Sequence, residues 1–144
     1  MTMSPVSPTG YHASVPSVTQ FTALLDELPQ LVRGVALVVA ASADGITRAA
    51  SSNLRRENGD PLGAAASGIV GMISGIAGHL NAGATHHVLV ELDEGFMVIQ
   101  KPTEHALLLV LAGHDTNMDQ LFFELDRLGE SAGRILDPGA RVFS

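Results

Sequence analysis

With no cysteine among its 144 residues, the chain can hold no disulfide, thiolate metal site or cysteine nucleophile, so any chemistry falls to histidine, arginine and the carboxylates. His86 and His87 resemble a metal-binding pair, but neighbours on a strand point to opposite faces, so both rings cannot close on one ion. Across a two-fold axis at a strand edge each could meet its symmetry mate and form a pH-sensitive contact. Arg55 and Arg56 form the largest basic cluster. An exposed arginine can stabilise the charge of phosphoryl transfer on a bound GTPase, and the alternative is an ordinary solvated pair. His105 and His114 flank the last strand in loops, with no nucleophile or carboxylate pair placed beside them. Asp119, Glu124, Asp126 and Glu130 read as the solvated face of a terminal helix. The motifs G-x-S-x-G, G-x-x-x-x-G-K-[ST] and G-x-G-x-x-G are all absent, and Gly75-x-x-Gly78 reads as packing. The expectation is a non-enzymatic chain with no catalytic residue, no cofactor and no metal.

The elements that must position these residues follow from periodicity. A chain that is 46% hydrophobic and 16% charged has material for one core and one domain. Its net charge of -7 argues against nucleic acid as a partner. Met1 to Pro16 is rich in Pro, Ser and Thr and reads as a flexible tail without a signal sequence, which places the protein in the cytoplasm. Ser17 and Gln20 have capping-box spacing ahead of Phe21, Leu24, Leu25 and Leu28, a first helix ending or kinking near Pro29. Val35 to Ala41 and Ile46 to Ala50 form a hairpin around Ala43-Asp44-Gly45. After a loop holding Arg55 and Arg56, Asp60 caps a helix with Pro61 at its first position. His87 to Leu92 and Phe96 to Lys101 form a second hairpin, followed by the apolar strand Ala106 to Ala112. Asn117 and Gln120 then open a last helix that frays near Gly129 to Gly133. The fold class is therefore α/β of the α+β type, in the order α-β-β-α-β-β-β-α. One five-stranded antiparallel sheet has helices on both faces. The two wholly apolar strands are central, and the strands bearing Arg48 and His86, His87 and Glu91 are edges.

The helix from Pro61 to Leu80 is uncharged and long enough to span a bilayer, but its glycines, alanines and serines make it weakly apolar, so it reads as a buried helix with no membrane insertion. Gly68, Gly71, Gly75 and Gly78 fall on one stripe with Ala64, and each interior glycine costs about 1 kcal/mol relative to alanine. Large residues cover much of the rest of the cylinder, so the helix needs two packing surfaces. Its own sheet supplies one. Either the glycine stripe fits closely on that sheet, or it meets a second copy of the chain. The edge strand with Val88, Val90 and Leu92 in one row invites self-pairing about a two-fold axis. The expected dimer interface holds Gly68, Gly71, Met72, Gly75, Gly78, His86, Val88 and Val90.

Three segments resemble the roadblock/dynein light-chain family: FTALLDELPQLVRGVALVVAASADGI (21–46), ASGIVGMISGIAG (66–78) and ALLLVLAGHDTNMDQLFFELDRL (106–128). The resemblance covers about Val18 to Leu136. It implies a roadblock-like, profilin-like sandwich at 17–136, between tails at 1–16 and 137–144. It implies a homodimer with a sheet continuous across the subunits and paired middle helices. Bacterial members look like conservon-type and gliding-motility regulators that act as platforms for small Ras-like GTPases, beside sensor kinases. Arg55 and Arg56 are the residues that could touch such a partner. Pro29-Gln30 departs from the uninterrupted helix expected there. The competing reading is a PAS-like or profilin-like small-molecule sensor, which would need a ligand cavity where the Leu107–Leu111 and Val35–Val39 runs should fill the sheet faces.

Overall fold

The computed structural model describes residues 18–136. The expected tails, and the Ser17 half of the first capping box, lie outside the described residues. The elements are α1 (Val18–Leu31), β1 (Val35–Ser42), β2 (Thr47–Ala50), α2 (Arg56–His79), β3 (His87–Leu92), β4 (Gly95–Thr103), β5 (Ala106–Ala112) and α3 (Met118–Leu136). Their order and type are those expected. The strands form one antiparallel sheet in the order β2-β1-β5-β4-β3. β1 and β5 occupy the interior, with Val38 facing Val110 and Ala40 facing Leu108. β2 and β3 are the edges. Apolar content thus ranks the strands as burial on two faces requires.

Alternation along the strands divides the core in two. On one face Phe21, Leu25 and Leu28 of α1 and Leu121 and Leu125 of α3 pack on Val38, Ala40, Val98, Leu108 and Val110. On the other, Ala66 and Val70 of α2 cover Val39, Ala41, Ile99, Leu107 and Leu109. A fully buried Leu or Phe contributes about 1.5–3 kcal/mol, so the first face, with its large side chains, carries most of the burial. The α2 face is shallow by comparison.

Three helix boundaries differ from expectation. α1 continues through Pro29 to Leu31: the proline gives up its bond to Leu25 O and crowds that carbonyl, but the next turn still closes, with Val32 N donating to Leu28 O at 2.9 Å. α2 begins at Arg56, with Arg55 at the cap position, so Asp60 and Pro61 lie inside the helix and do not start it. Asn58 N and Gly59 N donate to Arg55 O at 2.9 and 3.0 Å, closing a turn ahead of the proline. The Thr47 hydroxyl, 2.9 Å from Gly59 O and 3.2 Å from Asp60 O, binds the carbonyls next to Pro61 and holds the helix to β2. α3, finally, does not fray at its glycines but runs to Leu136. A methyl group at Gly129 would lie 2.9 Å from Pro102 Cβ, and one at Gly133 2.7 Å from Thr103 Cγ2, so these positions let the helix press on β4. Its start is as read: Gln120 N donates to Asn117 Oδ1 at 3.0 Å. The Gln120 side chain does not close the capping box but donates to Leu31 O at 2.9 Å, tying α3 to the end of α1.

Candidate protein-interaction surface

The glycines of α2 divide by what stands opposite them. A methyl group on Gly63 would sit 2.3 Å from Thr47 Oγ1 and 3.1 Å from Gly45 O, so this is the glycine that lets the helix lie close on its own hairpin. Gly68, Gly71, Gly75 and Gly78 have nothing within 4 Å of such a methyl. The stripe does not serve packing on the chain's own sheet. Beside it Met72, Ile76 and Leu80 are 69%, 57% and 68% exposed. Together with Gly71, Gly75 and His79 they line a shallow open groove of about 570 Å³. Only one face of this helix is therefore buried in the single chain, and the second packing surface expected from the sequence is open. By length and composition alone its Glu57–His79 stretch could cross a membrane, although little of it is buried in this fold.

The surface continues onto β3. Val88 and Val90 are half-buried on the α2 side, Leu92 in the same row is exposed, and β3 pairs only with β4 among the described residues. The connection between helix and strand is held in place. Ala82 N donates to Ala77 O at 2.8 Å, Asn81 takes a left-handed φ of 54°, and the Ser74 and Thr85 hydroxyls meet at 2.9 Å. The residues expected to share an interface on α2 and β3 thus belong to one firmly connected unit.

His86 lies just before β3, its carbonyl accepting from Lys101 N at 2.9 Å. His87 turns to the other face of the sheet, its ring 4.8 Å from that of Phe122. Both histidines nevertheless line one open groove of about 710 Å³ between α3 and β4, with Gln100, Asp126, Glu130 and Arg134. Strict alternation does not separate them, because His86 precedes the strand. No group of three or more His, Asp or Glu able to hold a metal occurs among the described residues.

Arg55 stands at the far end of α2 from Met72 and Leu80, exposed, with its Nε 2.6 Å from Glu57 Oε1. Arg56 opens the helix. The structure does not bring these arginines to the glycine face. The segment that carries them is fixed by contacts the sequence did not announce: Asp26 accepts from Ser52 N at 2.8 Å and Ser52 Oγ at 2.7 Å, and Asn53 Nδ2 donates to Ala36 O at 2.8 Å. Of the acids assigned to the solvated face of α3, Asp119, Asp126 and Glu130 are exposed. Glu124 is not; its side chain is 12% exposed and turns toward α1, paired with Arg127 at 3.4 Å. His114 is also no free loop residue, with Nε2 2.9 Å from Asp93 O and its ring 5.0 Å from Phe96. In the first hairpin the Ser42 hydroxyl donates to the Asp44 carboxylate and, as the largest cause, holds its pKa below the ordinary value.

The model of the Roadblock/LC7 domain matches residues 21–112. A Roadblock/LC7 domain from Streptomyces avermitilis superposes with a TM-score of 0.72 at 26% identity, covering 76% of this chain and 92% of that one. MglB of Myxococcus xanthus gives 0.73 at 13% identity, over 82% and 88% of the two chains. The gliding protein MglB of Thermus thermophilus gives 0.72 at 14%, over 85% and 93%. No curated protein matches by sequence. A five-stranded antiparallel sheet with α2 alone on one face, and a family model spanning α1 to β5, leave one assignment: the chain belongs to the Roadblock/LC7 domain family.

Proposed function

We propose that the chain is a non-enzymatic, cytoplasmic regulatory homodimer that binds and regulates a small Ras-like GTPase in a bacterial signalling system, with a sensor kinase as a further possible partner. The observation that carries this reading is the row Gly68, Gly71, Gly75 and Gly78, which faces open space beside exposed Met72, Ile76 and Leu80. Four interior helical glycines cost about 4 kcal/mol relative to alanine, and in the single chain no close contact offsets that. A second α2 laid along the row would allow backbone approach and bury the three large side chains, each worth about 1.5–3 kcal/mol. The free edge of β3 offers main-chain pairing about the same two-fold axis, with His86, Val88 and Val90 at the seam. The GTPase follows from the family resemblance, and Arg55 and Arg56, on their pinned segment, are the groups offered to it.

Light scattering on the full chain should report a dimer, and Gly71→Leu combined with Val88→Pro should give monomers or aggregate. A well-folded monomer from the unmutated chain would sink the reading. For the GTPase, hydrolysis by a small Ras-like GTPase from the same cell is followed with and without the dimer. Arg55→Ala or Arg56→Ala should lower a stimulated rate without loss of binding, and unchanged rates would remove the arginines from the mechanism. The sensor alternative gains nothing from the groove of about 710 Å³, which is open to solvent and not an enclosed chamber.

A further inference from the structure

The free edge of β3 has an alternation of its own. Along the β3–β4 pair His87 stands opposite Gln100 and Leu92 opposite Gly95, and one step before the strand His86 O accepts from Lys101 N at 2.9 Å. In an antiparallel pair, residues that exchange main-chain bonds alternate with residues that do not. Since His86 is bonded to Lys101, Val88, Val90 and Leu92 also turn their N–H and C=O groups toward β4. His87, Leu89 and Glu91 turn theirs outward, to the open edge. The side chains of these three share the α3 face of the sheet, where Leu89 is 49% exposed, while Val88 and Val90 are half-buried on the α2 face.

We propose that two β3 edges pair in a single register, with the two-fold axis passing through Leu89, so that His87 of each subunit stands opposite the partner's Glu91. The inference rests on the homodimer reading and fixes how its seam is built. A symmetric pair must join outward residues to outward residues, which puts the axis on a residue and never between two. With the axis at Leu89 all three outward residues are bonded: His87 to the partner's Glu91, Leu89 to the partner's Leu89, and Glu91 to the partner's His87. Moving it to Val88 sets Glu91 against the residues before the strand, and moving it to Val90 sets His87 against the turn after it. Both shifts lose main-chain bonds within the strand. Side chains favour the same choice. In the Leu89 register leucine meets leucine and imidazole meets carboxylate on the α3 face, while Val88 meets the partner's Val90 on the α2 face. In the Val90 register Glu91 would face the partner's Leu89, and in the Val88 register His87 would. The contact of His87 with the partner's Glu91 makes the seam sensitive to pH. Around each His87 the single chain already sets Asp126, Glu130 and Arg134 of α3, Lys101 of β4, the adjacent His86, and Glu91 of its own strand. Pairing adds the partner's Glu91, so protonation of His87 tightens the dimer.

The chain has no cysteine, so single thiols report the register without background. In the Leu89 register Val88 and the partner's Val90 form a pair without main-chain bonds, about 4.5 Å apart at Cα and within disulfide reach. Val88 and Val90 each lie about 8 Å from their own symmetry mates, beyond that reach. Full-length Val88→Cys and Val90→Cys chains, one of them tagged, are mixed, left to exchange subunits and oxidised mildly, and the products are separated by size. The expected result is a linked mixed dimer, with neither variant linking to itself. Self-linking of Val88→Cys or of Val90→Cys would move the axis to that residue and overturn the proposal. Light scattering runs in parallel. A confirmed dimer with no cross-link in any sample takes β3 out of the seam, which overturns the register and leaves the pairing to α2. A monomeric chain overturns the dimer reading itself. The second measurement is the dimer dissociation constant at pH about 8 and about 5.5, on either side of the ordinary histidine range. Acidification should tighten the unmutated dimer more than Glu91→Gln, by roughly 2- to 30-fold for the two cross-strand pairs together. An equal response from both would remove the contact between His87 and the partner's Glu91, and the proposal with it.

Discussion

Gly63 and Gly71 share a helix and a residue type but answer to different neighbours, and one substitution separates them. Gly63→Ala should destabilise the fold by about 1–3 kcal/mol, the usual range for overpacking, because its methyl would meet Thr47 Oγ1 at 2.3 Å. Gly71→Ala should raise the stability of the isolated chain by up to about 1 kcal/mol through helix propensity, while weakening self-association. Urea denaturation at low protein concentration, with light scattering at high concentration, checks both signs. The spacing of the stripe was legible in the sequence. Which glycine faces β2 was not, since that depends on how far α2 rotates about its axis when Thr47 binds the carbonyls of Gly59 and Asp60. At the first hairpin, the Ser42 hydroxyl lowers the pKa of Asp44 from its ordinary 3.8. A depressed folded-state pKa means that any stabilisation is present above that value and is lost as pH falls through the folded one. NMR titration should find the Asp44 carboxyl below 3.8, and Ser42→Ala should bring it back toward that value.

Strands were the readable elements and helix ends the unreadable ones, for a physical reason. β1 and β5 are buried on both faces over most of their length, so their burial is written in the apolar runs Val35 to Ala41 and Ala106 to Ala112, where only Ala36 is exposed. Helix ends depend on distant contacts. Gly129 and Gly133 read as breaks, but Pro102 and Thr103 of β4 lie where side chains would otherwise be. Gly133→Val should therefore lift the end of α3 off the sheet, and amide exchange should quicken from Gly129 to Leu136 while α1 stays protected. At the other end Asn117→Ala should cost about 1 kcal/mol, the usual value for a lost cap, read as a lower denaturant midpoint. The start of α2 was missed because a proline in the second turn looks like a beginning, and only the bonds from Asn58 and Gly59 to Arg55 O show the turn before it.

At the scale of the whole molecule, the two halves of the core are unequal. Large side chains of α1 and α3 fill one face, while Ala66 and Val70 are the buried apolar side chains of α2 on the other. If the open face of α2 is completed by a second copy, stability becomes a function of protein concentration. A tenfold increase should stabilise the folded dimer by about 1.4 kcal/mol, seen as a rise in the thermal midpoint; a midpoint independent of concentration would contradict the pairing. The order of elements and the glycine stripe of α2 were legible from spacing, and the family from resemblance. The order of the strands also has a consequence for the newborn chain. β1 can close its hairpin with β2 as soon as both have left the ribosome, but its other edge waits for β5, where Val38 meets Val110. Through most of translation this central apolar strand lies half-paired and open to the wrong neighbour. A nascent chain halted at Thr103 should therefore be sensitive to protease and bound by chaperones, and release should come when Ala106 to Ala112 arrives.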